Sequence, residues 1–214
     1  MSLSGIVADP FRLLSLAAGT AVLKTKQLSR YVAVGQGVRA IGIPLIDARN
    51  GGRILIGDGV VLNSRNKGYF GPLFGPVKLF ADQPGSVVRI GRGTRIHGSC
   101  IHAYCSIDIG ENCLIAGNCT IVDADGHTAF PPEIVDRLKV SSSGRPVVLE
   151  DNVWLGMNCI VLKGVRIGNG SVVSAGSVVT RDIPPFSVAA GNPAQIVKSF
   201  EGRYLDALNG KASG

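Results

Sequence analysis

At 214 residues, with 45% hydrophobic and only 17% charged side chains, the chain can bury one sizeable core and is too apolar to be a disordered polymer. Its net charge of +7 is uneven: residues 1–100 hold 13 Lys/Arg against 4 Asp/Glu, and the remainder 9 against 11. The 29 glycines have no every-third-residue period, which excludes collagen, and the absence of a basic aromatic ribbon, zinc finger or helix-turn-helix pattern argues against nucleic acid as a partner. The basic half is either a solvated surface or a site for an anionic partner such as a nucleotide cofactor, an anionic glycolipid or a membrane surface.

In chain order, Asp9 suits a helix N-cap and Pro10 the first turn, ahead of an apolar run from Leu13 to Leu23. Ser15, Gly19 and Thr20 interrupt that run, and it falls short of the ~20 apolar residues that cross a bilayer. The expected helix packs on the rest of the chain or on a partner; a helix lying on a membrane surface is the alternative. Val32, Val34, Val38, Ile41 and Ile43 read as strand, and the first clear six-residue unit begins at Ile56. Residues 64–76, SRNKGYFGPLFGP, break the period and gather Tyr69, Phe70 and Phe74 among glycines and prolines. This loop either covers an end of the core or walls a pocket.

The period of six resumes at Ile90 and Ile96, with His102 in the next anchor slot. After a one-residue slip near Ile107 and Asp108 it continues through Ile109, Ile115 and Ile121. A polar residue in an anchor slot beside a slip is a local violation of the kind found at bulges and functional sites. A second loop, residues 124–146, carries His127. Leu149, Leu155, Val161, Ile167, Val173 and Val179 then stand six apart without interruption. Six is neither the 3.6 of a helix nor the two of a plain strand. It fits a coil with three flat sides, one hexad per side, in which each anchor stacks on the anchor of the next coil. The predicted class is all-β, a parallel β-helix. Pro184 and Pro185 end it, Gly191 to Ala194 make a turn, and residues 194–208 are expected to form a capping helix.

Cys100, Cys113, Cys119 and Cys159 occupy the fifth position of their hexads, a slot held elsewhere by Thr94, Ser106, Val153, Val165, Ser171 and Ser177. They read as small core fillers. Five cysteines without CxxC, and without a signal-peptide pattern, point to a reducing cytoplasm. The three histidines are His97, His102 and His127. His127 ends the run Val122-Asp123-Ala124-Asp125-Gly126-His127 where a loop leaves the coil, a rigid mounting for a proton-transfer group. Asp123 or Asp125 is placed to orient it; alternatively both cap backbone groups of a turn. No G-x-S-x-G elbow accompanies the histidine, so direct attack by an activated acceptor is favoured over a covalent enzyme intermediate.

From Ile109 to Lys198 the chain resembles the hexapeptide-repeat acyltransferases, in particular the galactoside, maltose, nodulation-factor and polysaccharide O-acetyltransferases. The resemblance rests on the Asp-Gly-His loop, Asp151-Asn152-Val153-Trp154-Leu155-Gly156, Ser174-Ala175-Gly176-Ser177-Val178-Val179-Thr180, Ile183-Pro184-Pro185 and Ala190-Gly191-Asn192-Pro193-Ala194. It implies a left-handed parallel β-helix and homotrimers with sites between neighbouring coils. It implies acetyl-CoA as acyl donor, no metal, and His127 as the general base, with Asp125 or Asp123 beside it. It implies substrate contacts at Trp154, a pantetheine track along Gly156, Ala175 and Gly176, and a nucleotide end near Thr180, Arg181 and Lys198. A basic position of the family after the Asn-Pro-Ala turn is Gln195 here, a departure from the pattern.

The expected organisation is therefore an N-terminal helix and lead-in strands over 1–50, a β-helix over 51–185 with loops at 64–85 and 124–146, and a turn with capping helix over 186–214. The expected activity is O-acetylation of a sugar, polysaccharide or glycolipid-precursor hydroxyl, with N-acetylation of an amino sugar as the alternative. His97 and His102 are assigned to the acceptor. A γ-carbonic-anhydrase-like site using them with a neighbour's histidine, and a non-catalytic scaffold, are the more distant rivals. The cytoplasm is the expected location, with the basic half able to meet the inner face of a membrane.

Overall fold

The computed structural model describes residues 10–27, 30–128, 135, 138 and 144–202. It is a left-handed parallel β-helix in which each coil contributes one short strand to each of three faces. The first coil is β1 (Val32–Val34), β2 (Arg39–Ile41) and β3 (Leu45–Ala48); the second is β4 (Arg53–Ile56), β5 (Val61–Asn63) and β6 (Lys78–Ala81). The third is β7 (Val87–Ile90), β8 (Arg95–His97) and β9 (Cys100–Ala103); the fourth is β10 (Ser106–Ile109), β11 (Leu114–Ile115) and β12 (Thr120–Val122). The fifth is β13 (Val147–Leu149), β14 (Trp154–Leu155) and β15 (Ile160–Val161); the sixth is β16 (Arg166–Ile167), β17 (Val172–Val173) and β18 (Val178–Val179). Like strands of successive coils pair in parallel, so β1 to β16 form the first face, β2 to β17 the second and β3 to β18 the third.

The six anchors from Leu149 to Val179 are all at most 1% exposed, as a one-per-side stack requires. Burying each contributes about 1.5–3 kcal/mol. Two sequence expectations shift by one residue at the corner after β8. Ile101, not His102, is the inward residue and pairs with Ile121, because the stretch 97–100 that turns the corner after Ile96 is one residue shorter than the stretch 116–120 after Ile115. His102 therefore points outward on the third face. For the same reason Ser99, not Cys100, fills the buried slot; Cys100 points outward. Ser106 also points outward, whereas Cys113, Cys119 and Cys159 are buried as expected. From that slot Ser99, Cys119 and Cys159 hydrogen-bond the turn carbonyls of the next coil at Ala116, Gly156 and Ser174.

Helix α1 (Pro10–Gln27) covers the open end of the first coil. Its Leu23 is buried, and Gly42 N–H donates to Ser15 O. At Gly19 the contact is so close that a Cβ would lie 2.3 Å from the Gly42 oxygen. Among the described residues no helix is long and apolar enough to cross a membrane. At the other end the expected capping helix is not where the sequence suggested. Ala194–Ser199 is β20, antiparallel to β19 (Ser187–Gly191), which itself pairs in parallel with β17 beyond the two prolines. The Gly191 to Ala194 turn thus closes a hairpin that adds strands to the second face, and its outer strand is exposed almost throughout, Ile196 and Val197 included. Residues 203–208 of the expected helix lie outside the described residues. The loop expected over 64–85 is also shorter, since Lys78–Ala81 is the third-face strand β6.

Candidate active site

The corner between the second and third faces bears a cavity of about 440 Å³. Trp154 and Leu114 project from adjacent strands of the second face, and Gly156, Met157, Ser174 and Ala175 form its far side. The near wall is the loop at residues 64–76, represented by Tyr69 and Phe70. That loop is pinned to the coil. Asn66 exchanges hydrogen bonds with Leu73 across the loop, at 2.8 and 2.5 Å. Asn118 accepts from Phe74 N–H at 2.9 Å and donates to Pro72 O at 2.8 Å. The Tyr69 hydroxyl accepts from Gly117 N–H at 2.9 Å, and burial pushes its pKa up, so it stays protonated. Of the two readings of the loop, the pocket wall is the one its geometry serves.

Gly156 is required here by proximity: a Cβ would lie 2.6 Å from Ala175 N in the next coil. Trp154 is half exposed, with its ring available to a ligand. His97 sits at the cavity's edge, its ring stacked on Tyr69 at 4.7 Å and its Nδ1 3.3 Å from Asn63 Nδ2. Burial, assisted by the charge of Arg95, lowers its pKa to about 4, so the ring is neutral near pH 7.

The corner between the third and first faces holds a different set. His127 is exposed on the loop that follows β12, and Thr180 and Arg181 are exposed at the same corner two coils on. Asp123 is fully buried and takes backbone N–H from Tyr104 and Cys105 at 2.6 and 2.8 Å. Its two oxygens thus fasten the loop base to the preceding coil, the turn-capping role that the sequence left open. Asp125 pairs with Lys163 of the following coil. Lys163 was not singled out from sequence, since a lysine in a hexad turn carries no signal of its own. Lys198, expected near the phosphates, stands over the Phe200 ring at 4.7 Å.

On the third face between the two corners, His102 Nε2 lies 3.1 Å from Asp82 Oδ1. Phe80 meets the ring edge-on at 5.5 Å, and Tyr104 lies tilted against it at 5.1 Å. Burial raises the Asp82 carboxyl pKa, but hydrogen bonds from His102 and Gln83 and the charges of His102 and Arg49 outweigh it and leave it lowered. Tyr104 reaches the histidine loop, its hydroxyl 3.8 Å from where a Cβ on Gly126 would stand. His97 and His102 thus face outward on different faces, and no group of three metal-ligating side chains occurs among the described residues. A larger, shallower depression of about 700 Å³ on the first face is floored by Leu55 and Val148 and crossed by the Arg89–Asp108 ion pair. It lies away from every histidine and from Trp154.

The family model described as "Hexapeptide repeat of succinyl-transferase" matches residues 87–122 and 146–181. The chain is 36% identical to galactoside O-acetyltransferase of Escherichia coli over 121 residues, 56% of this chain and 57% of that protein. It is 50% identical to 2,3,4,5-tetrahydropyridine-2,6-dicarboxylate N-acetyltransferase of Clostridium perfringens over 64 residues, 30% of this chain and 27% of that protein. The alignments thus span between about a quarter and just over half of the length of these curated relatives. Among solved structures, the polySia specific acetyltransferase NeuO superposes with a TM-score of 0.53 at 27% identity, covering 80% of this chain and 88% of that one. Repeats, fold and relatives together make the chain similar to the hexapeptide-repeat acyltransferases.

Proposed function

We propose that the chain transfers the acetyl group of acetyl-CoA to a hydroxyl of a sugar, polysaccharide or glycolipid precursor, with His127 as general base. The observation that carries this reading is the division of the site. The aromatic cavity at Trp154 and the His127 loop stand at opposite edges of the third face on the same coils. In a homotrimer the His127 edge of one copy would meet the Trp154 edge of the next and complete a site that one chain holds in halves. The thioester would lie in the cavity beside Gly156, Ala175 and Gly176, and Thr180, Arg181 and Lys198 would serve the phosphates by charge complementarity. Lys198 would leave its contact with Phe200 to do so.

On the acceptor side, the His102–Asp82 pair offers hydrogen bonds and the Phe80 and Tyr104 rings offer stacking, the mixture that a sugar ring uses. Galactoside O-acetyltransferase and NeuO among the relatives support such an acceptor. His127 would take the hydroxyl proton as the oxygen attacks the thioester carbonyl and return it to the departing thiolate. His127→Ala should retain CoA binding but lose at least about a hundredfold in turnover, read as thiol release. Near-normal turnover would refute the assignment. The N-acetyltransferase relative keeps amino-sugar N-acetylation as the second reading, which product analysis with an amino sugar decides. The basic amino-terminal half supports work on an anionic acceptor at the inner face of a membrane. Failure to co-sediment with anionic vesicles at low salt would count against that location.

A further inference from the structure

Asn63, His97 and Ala116 occupy one row of the second face. The strand register pairs Asn63 with His97, and the pairing of Ile96 with Ile115 puts Ala116 next in line. Arg65 N–H donates to Asn63 Oδ1 at 3.1 Å. A backbone N–H can only donate, so that bond fixes the Asn63 amide with its NH₂ toward His97 Nδ1. Nδ1 therefore accepts, and the proton of the neutral ring resides on Nε2. The two nitrogens flank Cε1 and point away from each other. With Nδ1 toward Asn63 in the preceding coil, Nε2 points away from that coil, and His97 lines the cavity together with Ala116, Gly156 and Ser174. Stacking on Tyr69, itself held by Gly117, keeps the ring in that plane.

We propose that His97 is a catalytic hydrogen-bond donor, its neutral Nε2–H directed at the thioester carbonyl oxygen in the aromatic cavity and its tautomer set by Asn63. This rests on the acyl-transfer reading above. As the acceptor oxygen bonds to the carbonyl carbon, the C=O π pair moves onto the carbonyl oxygen, where a fixed N–H stabilises it most. Collapse restores C=O and breaks the C–S bond. The thiolate takes the proton that His127 removed, and His97 keeps its own throughout. The groups around the ring favour the neutral donor: Arg95 is cationic, the Tyr69 hydroxyl is protonated, and Arg65 contributes its backbone N–H to Asn63.

The test has two arms on the full chain. Nitrogen-15 spectra of the three imidazoles, with His97 identified by its loss in His97→Gln, should show an Nε2–H tautomer at pH 7. In Asn63→Asp the carboxylate should draw the proton to Nδ1. In acetyl-CoA turnover with a panel of mono- and oligosaccharides, His97→Phe and Asn63→Asp should lose about 10²–10³-fold in kcat. Their KM for acetyl-CoA should change little, and His97→Gln, whose amide can still donate, should retain more activity than His97→Phe. Unchanged thermal midpoints separate this loss from misfolding. An Nδ1–H or charged ring in the unmodified protein, or near-normal turnover by both His97→Phe and Asn63→Asp, overturns the role of His97 alone. No thiol release by the unmodified protein with any acceptor overturns the acyl-transfer reading and this role with it.

Discussion

His97 should leave a measurable signature in acid, independent of any substrate. Its folded pKa of about 4 lies below the ordinary value of 6.5 because burial disfavours the charged ring and Arg95 opposes it further. Above pH 6.5 both folded and unfolded chains hold a neutral ring, and stability is unaffected. Between pH 6.5 and about 4 the unfolded chain takes up a proton that the folded chain refuses, so stability falls as pH falls. Below about 4 both are charged and the loss is complete. At about 1.4 kcal/mol per unit, the full window is worth at most about 3.5 kcal/mol, and solvent screening at a ring that borders an open cavity reduces this to about 2 kcal/mol. Denaturant unfolding followed by Trp154 fluorescence, at fixed chain concentration from pH 7 to 4.5, measures it. His97→Gln removes the titrating group, so its stability relative to the unmodified chain should rise by about 2 kcal/mol over that range. A difference curve that stays flat would falsify the buried, neutral state of His97, and with it the argument from Asn63.

Further outcomes are expected at Asp123, Gly156 and Lys163. Asp123→Ala leaves the Tyr104 and Cys105 N–H groups without their buried acceptor and should cost about 3 kcal/mol in denaturant unfolding, with Asp123→Asn costing less. Burial and the Asp123 carboxylate push the Cys105 thiol up to about 11, so Asp123→Asn should also speed its alkylation at pH 8; an unchanged alkylation rate would exclude the carboxylate as a cause. Gly156→Ala drives a Cβ into the backbone of the next coil and should cost about 1–3 kcal/mol while raising the KM for acetyl-CoA; a neutral effect on both would mean that the coils part there without strain. Lys163→Met should leave the thermal midpoint within a degree or two, since the pair with Asp125 is partly solvated. It should lower kcat a few-fold by loosening the turn that carries His127, with Lys163→Arg restoring it, and equal rates for both variants would show that the pair does not position His127.

The repeat was legible because its cause is one-dimensional: an aliphatic residue every sixth position has nowhere to go but the axis of a three-sided coil. The same logic misplaced His102 and Cys100, since a corner shortened by one residue keeps the inward stack of Ile101 on Ile121 and moves the slots between that corner and the slip. Rare side chains such as Trp154 and His127 could be singled out as candidates from the sequence, whereas contacts between coils could not. Tyr69 is 28 residues from His97 and Asn63 is 34, yet they hold its ring from two sides. Lys163 is 38 residues from Asp125 and meets it only because one coil of the helix is stacked on another. In such a solenoid, neighbours in space are set by coil length and by whatever loop is inserted between coils. A single loop of uncertain path, such as residues 64–76, is enough to hide which groups share a pocket. The repeat therefore specifies the frame on which a histidine, a tryptophan and their supports are mounted. The corners, where the period breaks, decide what those mounted groups can do: Gly98 and Ser99 turn His102 outward, and the loop after Asn63 brings Tyr69 down over His97.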